Sequence, residues 1–197
     1  MPPRKQTLPQ HPAADALSGS MLAAMPGMAD PNFAGTLSLI CEHGADGAIG
    51  LVLNRPLPVE LGALLQRIGL EVPPELAKQT VLAGGPVKPE RGFVLHRPDS
   101  QKWAASRRVA DGLMVTASSD IIDAMAAGRA PAGATLVLGY AGWDAGQLER
   151  EMGENSWLSL PAAAEVVFGT ACEHRLTRAA ALAGIDFGRL ASAAGHA

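Results

Sequence analysis

Cys41, Glu42 and His43 are the most reactive-looking neighbours in the chain. In an extended strand, residues two apart share a face, so Cys41 and His43 are expected side by side. An imidazole beside a thiol lowers the thiol pKa, making a nucleophile with its base or a pair of metal ligands. The competing reading is a small buried thiol next to a hydrogen-bonded histidine at a turn. Reactive cysteines often sit at helix N-termini, whereas Gly44–Gly47 (GADG) reads as a turn, so the structural reading is favoured and the pair stand as candidates. The order recurs at Cys172-Glu173-His174. Within each triplet one residue separates Cys from His, shorter than the usual spacing of zinc ligands, so no metal is assigned.

A second group suits anion binding. Gly84-Gly85-Pro86 followed by Arg91 could set backbone N–H groups beside a guanidinium, a nest for phosphate or carboxylate. The alternative is a tight strand connection that needs glycine. Tyr140, Trp143 and Gln147 lie where a strand is expected to meet a helix. An aromatic wall beside an open helix end makes a ligand pocket; a hydrophobic plug over the sheet end is the plainer reading. The glycine spacing there matches no nucleotide loop. Finally, GLVLNRP (50–56) and GFVLHRP (92–98) agree at five of seven positions. The echo either reflects a shared way to end a buried strand or places Asn54, Arg55, His96 and Arg97 around one cleft. Glu149, Arg150, Glu151 and Glu154 read as a solvated helix face. No G-x-S-x-G, H-E-x-x-H or C-x-x-C pattern occurs, which argues against the corresponding hydrolase, protease and redox chemistries.

The elements that position these residues follow from periodicity. Strands are expected over 20–25, 36–41, 48–54, 81–83, 92–96, 113–117, 135–140, 157–160 and 166–168. Helices are expected over 59–68, with Leu61, Leu64, Leu65 and Ile68 on one stripe, over 120–127 capped by Ser118 or Ser119, over Asp144 to about Met152, and over 173–183. Strands and helices mingle without strict alternation, and several strand pairs sit close enough for hairpins. The fold class is therefore α/β of the α+β kind, with a mixed, largely antiparallel sheet and peripheral helices. One domain over 18–197 follows a disordered, proline-rich arm at 1–17.

The chain has 197 residues, 48% hydrophobic and 18% charged, with net charge −3. That is enough apolar material for one core. The densest basic stretch holds only Lys102, Arg107 and Arg108, which weighs against direct nucleic-acid binding. No signal-peptide core and no apolar run of about 18 residues is present, so a cytoplasmic, non-membrane protein is expected.

Four stretches in order carry a family resemblance: AMPGMADPNFAGTLSLICEHGADGAIGLVLNRP (24–56), LAGGPVKPERGFVLH (82–96), SSDIIDAMAAG (118–128) and LGYAGWDAGQLEREMGENSWL (138–158). Over about 18–190 the chain resembles the YqgE/AlgH family of small bacterial proteins. The resemblance implies a one-domain α/β fold with a compact, barrel-like β core. It implies no reaction, and part of the family name comes from a proposed regulator of alginate production. CEHRLTRAA (172–180) departs from the family pattern. The expected function is a non-enzymatic regulatory module, without cofactor, that binds a small anionic ligand or a protein partner. The ligand residues would be Asn54, Arg55, Gly84, Gly85, Arg91, His96, Tyr140, Trp143 and Gln147. A Cys41-dependent enzyme and a transcriptional regulator acting on DNA or indirectly are the alternatives.

Overall fold

A computed structural model describes residues 17–194. The arm expected at 1–17 lies outside the described residues except for Leu17, which is buried in the cluster of Leu22, Ile40 and Trp143. The strands are β1 (Ser20–Ala24), β2 (Leu37–Gly44), β3 (Gly47–Val52), β4 (Pro56–Glu60), β5 (Thr80–Ala83), β6 (Val87–His96), β7 (Ser106–Ala110), β8 (Leu113–Thr116), β9 (Thr135–Asp144) and β10 (Trp157–Pro161). The helices are α1 (Leu61–Gln66), α2 (Pro74–Ala77), α3 (Asp120–Ala126), α4 (Gln147–Gly153), α5 (Ala164–Gly169), α6 (Arg175–Leu182) and α7 (Phe187–Ala194).

The main path of the sheet runs β10-β1-β2-β3-β9-β6-β8-β7, and β5 joins it parallel to β9 with β4 alongside. The other pairings are antiparallel. The sheet curls into a half-barrel, so β7 at one end swings back towards β2. The two strands of the GxVLxRP echo both pair antiparallel with β9, β3 along Ala141–Asp144 and β6 along Thr135–Tyr140.

Alternation along each strand divides the core into layers. Leu39, Leu51, Phe93, Leu95 and Val137 point into the curl, where Val166, Val167 and Leu176 of α5 and α6 join them. Val94 and Leu136 point outwards to Leu61, Leu65, Ile121 and Met125 of α1 and α3. Ile40, Ala48 and Trp143 point outwards to Leu148 of α4 and to Trp157. Both faces of the sheet are thus covered around β3 and the end of β6, which is why AIGLVL (48–53) and FVL (93–95) read as apolar runs, whereas the first half of β6, with Lys88, Glu90 and Arg91, is exposed.

Several elements differ from the sequence expectation. Val166–Phe168 lies in α5, not a strand; Val166 and Val167 are buried against the core, and that packing overrides their β preference. β7, rich in arginine at a sheet edge, carries no alternating apolar signal, and the short α2 and terminal α7 were not expected. Ser119 precedes α3 without a side-chain cap bond; the Asp120 carboxylate instead accepts from the N–H groups of Ala104, at 2.7 Å, and Ile121, at 3.0 Å. Among the described residues no helix is long and apolar enough to cross a membrane.

Candidate functional site

The register of β2 decides what the Cys-Glu-His triplet can do. Ile40 pairs with Gly50, and the next pair is Glu42 with Ile49, so Cys41 is the extra residue of a β-bulge. A bulge breaks the two-residue alternation. Cys41 stays with Leu39 and Leu51 inside the curl, whereas His43 pairs with Ala48, which belongs to the outer cluster around Trp143. The expected same-face pair is therefore not formed. The Cys41 thiol donates to Leu39 O at 3.7 Å, and His43 Nε2 lies 3.0 Å from Glu149 Oε1 on α4.

Burial pushes the Cys41 thiol up to about 12, with Arg107 pulling it down and Glu42 adding to the rise. A thiol held neutral is a poor nucleophile. Two outcomes follow. Alkylation of the native protein at pH 8 should modify half-buried Cys172 and leave Cys41 untouched by mass spectrometry; rapid labelling of Cys41 would contradict its burial. Because the folded thiol holds its proton above the usual value of 9.0, the folded state binds more protons than the unfolded one between about pH 9 and 12. Cys41 therefore withdraws stability as pH rises through that window.

The inside of the curl opens between β2 and β7 as a cavity of about 330 Å³. Cys41, Leu51, Phe93 and Tyr140 form its apolar and aromatic floor, and Glu42, Arg91 and Arg107 line its rim. Tyr140 meets the Phe93 ring edge-on at 6.1 Å. The Arg91 guanidinium lies over the same ring at 5.1 Å, and no carboxylate among the described residues pairs with it. Arg107 Nη1 is 2.9 Å from Glu42 Oε2, with both side chains more than half exposed. Such a pair contributes only about 0–1 kcal/mol, so it can open for a ligand. With two guanidiniums against one carboxylate, the rim favours an anion.

Of the residues expected from sequence, Cys41, Arg91 and Tyr140 meet at this cavity; the others do not. The Asn54 side-chain oxygen accepts from the Leu37 N–H at 2.8 Å and its amide donates to Gly35 O at 2.9 Å. Arg55 Nη2 donates to Pro31 O and Ala34 O, fastening the preceding loop. Arg55 and Gly85 border a separate crevice of about 140 Å³. His96 is fully buried, its ring nitrogens 2.8 Å from Arg97 O and from Thr116 Oγ1. Arg97 lies over Phe168 at 4.9 Å. The two strand ends thus do separate structural work rather than share a cleft.

The glycine turn also has another role. Gly84 N–H donates to Leu138 O at 2.7 Å and Gly84 O accepts from Val52 N–H at 2.8 Å, so this residue binds β9 and β3 and offers no free N–H to an anion. Gly85, with φ +150°, lies directly against the Tyr140 backbone. Tyr140 and Trp143 stand within β9, which runs on to Asp144, not in a strand-to-helix loop. Trp143 is a buried plug packed on Phe33 and Trp157.

Gln147 accepts from the Asp144 N–H at 3.0 Å, half of a capping box, and donates to Glu151. Glu149 and Glu151, read as a solvated face, turn inwards instead, Glu149 to His43 and Glu151 to the indoles of Trp143 and Trp157. Sequence reasoning missed Phe93 and Arg107 as cavity residues and gave Glu42 no role beyond its place in the Cys41-Glu42-His43 triplet. For Arg107 the signal was the basic pair at 107–108, and it carried no location.

The AlgH-like family model matches residues 21–188. The chain belongs to the AlgH-like family. A UPF0301 protein of Xanthomonas euvesicatoria is 48% identical over 182 residues, covering 92% of this chain and 96% of that one. Another, from Nitrosococcus oceani, is 49% identical over 177 residues, covering 89% and 94%. The solution structure of the AlgH protein from Pseudomonas aeruginosa superposes with a TM-score of 0.75 at 40% identity, covering 98% of this chain and 100% of that one. A Corynebacterium diphtheriae protein shares the fold at 22% identity, with a TM-score of 0.65. The half-barrel of this AlgH-like chain is thus the fold that the motif resemblance implied.

Proposed function

We propose that this AlgH-like protein is a non-enzymatic regulatory module that holds a small organic anion in the mouth of its half-barrel. The observation that carries this reading is an apolar, aromatic floor beneath a rim bearing Arg91 and Arg107. Ligand pockets are commonly apolar clefts of about 300–1,000 Å³ with a few polar groups that fix orientation. A ligand with an apolar body and a carboxylate head fits that pattern, its body on Phe93 and Tyr140 and its charge at Arg91. The buried, neutral thiol of Cys41 supplies contact area rather than reactivity. Any effect on transcription would then run through a partner that senses the filled or empty mouth.

The test is thermal shift and native mass spectrometry with small aliphatic and aromatic carboxylates, each beside its uncharged amide. A ligand at one hundred times its dissociation constant stabilises by about 2.7 kcal/mol, a rise of about 5–10 °C for a chain of this size. Acids should produce it and amides should not. Replacing Arg91 and Arg107 together with alanine should weaken binding at least tenfold, because Glu42 then dominates the rim. Equal shifts with acids and amides, or an unaffected double variant, would remove the proposed site. Chemical conversion of the bound acid would overturn the non-enzymatic reading.

A further inference from the structure

The cavity at the mouth has a neighbour. A second cavity, of about 490 Å³, lies at the end of the β2–β3 hairpin, where Ser18, His43, Asp46 and Trp143 line it. Glu42, Ile49 and Arg107 line both cavities, so the two form one groove crossed by the Glu42–Arg107 ion pair. Ile49 stands 38% exposed on the shared wall, an apolar side chain that gains stability when something covers it.

Charge at the hairpin end is uneven. Arg107 is the one Lys or Arg on the wall of the second cavity, and Glu42 holds it. Asp46 in the turn and Asp144, opposite Gly47 in the β3–β9 register, are both exposed. Neither carboxylate has an ion-pair partner among the described residues. The groove therefore suits an occupant that brings an apolar side chain and positive charge.

The chain itself leads such an occupant there. Its described part begins at Leu17, buried in the cluster of Trp143, and Ser18 Oγ donates to His43 O at 3.4 Å on the cavity wall. Ahead of Leu17 runs MPPRKQTLPQHPAADA (1–16), with Arg4, Lys5, Leu8 and four prolines. Lys5 stands twelve positions before Leu17, a reach of up to about 37 Å for an extended, proline-rich chain. The radius of gyration for a domain of this length is about 16 Å, so the whole groove is within range. Single exposed ion pairs are weak, but a short tether sets an effective concentration of order millimolar, and prolines reduce the chain freedom lost on docking.

We propose that residues 1–16 dock in the groove of their own chain, with Leu8 on Ile49 and with Arg4 and Lys5 facing Asp46 and Asp144. The contact does not depend on an anion in the mouth, and salt weakens it because exposed charges carry it.

The test uses the full chain with Thr7→Cys and Cys172→Ser, labelled with a nitroxide; Cys41 is buried and stays unlabelled. Amide signals of Gly44–Ile49 should broaden at least threefold more than those of α1, and high salt should reverse this. Arg4→Glu with Lys5→Glu changes no residue of the described part, so the signals of β6 and β8 should stay in place while the broadening at the hairpin end is lost. Asp46→Asn with Asp144→Asn should lose it likewise. Zero-length carbodiimide coupling of an equal mixture of unlabelled and nitrogen-15 chains should join Lys5 to Asp46 or Asp144 within single chains. Even broadening over the surface, broadening that survives the charge reversal, or coupling only between light and heavy chains would overturn the assignment, the last by making a second copy the occupant.

Discussion

Replacing Glu151 with alanine is expected to lower the melting temperature by about 10 °C. One carboxylate oxygen of Glu151 accepts from Trp143 Nε1 at 3.0 Å and from Trp157 Nε1 at 2.8 Å, and the other accepts from Gln147 Nε2 at 2.9 Å. Both indoles belong to residues that are about 95% buried, so water cannot replace the lost acceptor without entering the cluster. Each buried donor left unmatched costs about 1–3 kcal/mol, and two together reach about 3–4 kcal/mol. At about 2–4 °C per kcal/mol for a chain of this length, the shift is readily measured by calorimetry. Glu151→Gln retains an oxygen able to accept from both indoles and should lose less than half as much. A shift under about 2 °C for the alanine variant would show that the indoles are satisfied in some other way.

That cluster marks where sequence reading stopped. Glu149, Arg150 and Glu151 lie on one short helix with Glu154 at its end, and composition alone makes them a wet face. Only the tertiary placement of β9 and β10 aims two indoles at one of them. A bulge leaves no more trace in the sequence, so Cys41 and His43 were expected together while the chain separates them. Periodicity served well where packing obeys it. Leu61 and Leu65 of the expected stripe are buried, with Leu64 packed beside them, and Leu51 and Val52 of β3 and Phe93–Leu95 of β6 are buried as their apolar character requires. Ile68 of the same stripe, however, lies beyond the end of α1 and is exposed. Periodicity failed for β7, an edge strand with arginines, and for α5, where two valines pack from a helix. Arg91 and Tyr140 were legible as candidates because an arginine following a glycine turn and the single tyrosine are conspicuous. Their partners Phe93 and Arg107 were not, because the curl that gathers them is a property of the whole sheet.

The second large effect is expected at Gly139. Its φ is +72°, and a Cβ there would lie 2.6 Å from Gly85 O and 3.2 Å from both Pro89 Cα and Val87 O. All of these are backbone atoms, which cannot rotate away. The left-handed conformation alone costs a non-glycine residue about 1–2 kcal/mol, and the clash raises Gly139→Ala to about 3–4 kcal/mol, the range of severe single substitutions. Tyr140 follows directly, so the floor of the mouth should shift too, and the carboxylate binding proposed for it should weaken along with stability. Gly142→Ala is the control on the same strand. Its Cβ would find Tyr140 Cε2 at 3.6 Å and Val87 Cγ2 at 3.7 Å, ordinary contacts at a φ outside the left-handed region. Its effect should stay within about 0.5 kcal/mol. Denaturant unfolding of the two variants side by side decides the matter; similar losses would mean that the approach of β6 to β9 is looser than these distances require.

The position of β9 has a consequence for how the chain is made. β9 holds β3 and β5 along one edge and β6 along the other, yet it begins only at Thr135. At about 5–20 residues per second, a ribosome takes about 7–27 s to reach it. Throughout that time the nascent chain carries apolar strands with open edges and no central strand to join them. Pairing of Ser20 with Pro161 comes later still. Contacts this distant in sequence slow folding, and unpaired edges are the usual starting point of aggregation. Chains truncated before Thr135 should therefore accumulate as insoluble material, and a synonymous pause placed after Asp144 should improve the soluble yield more than one placed before it.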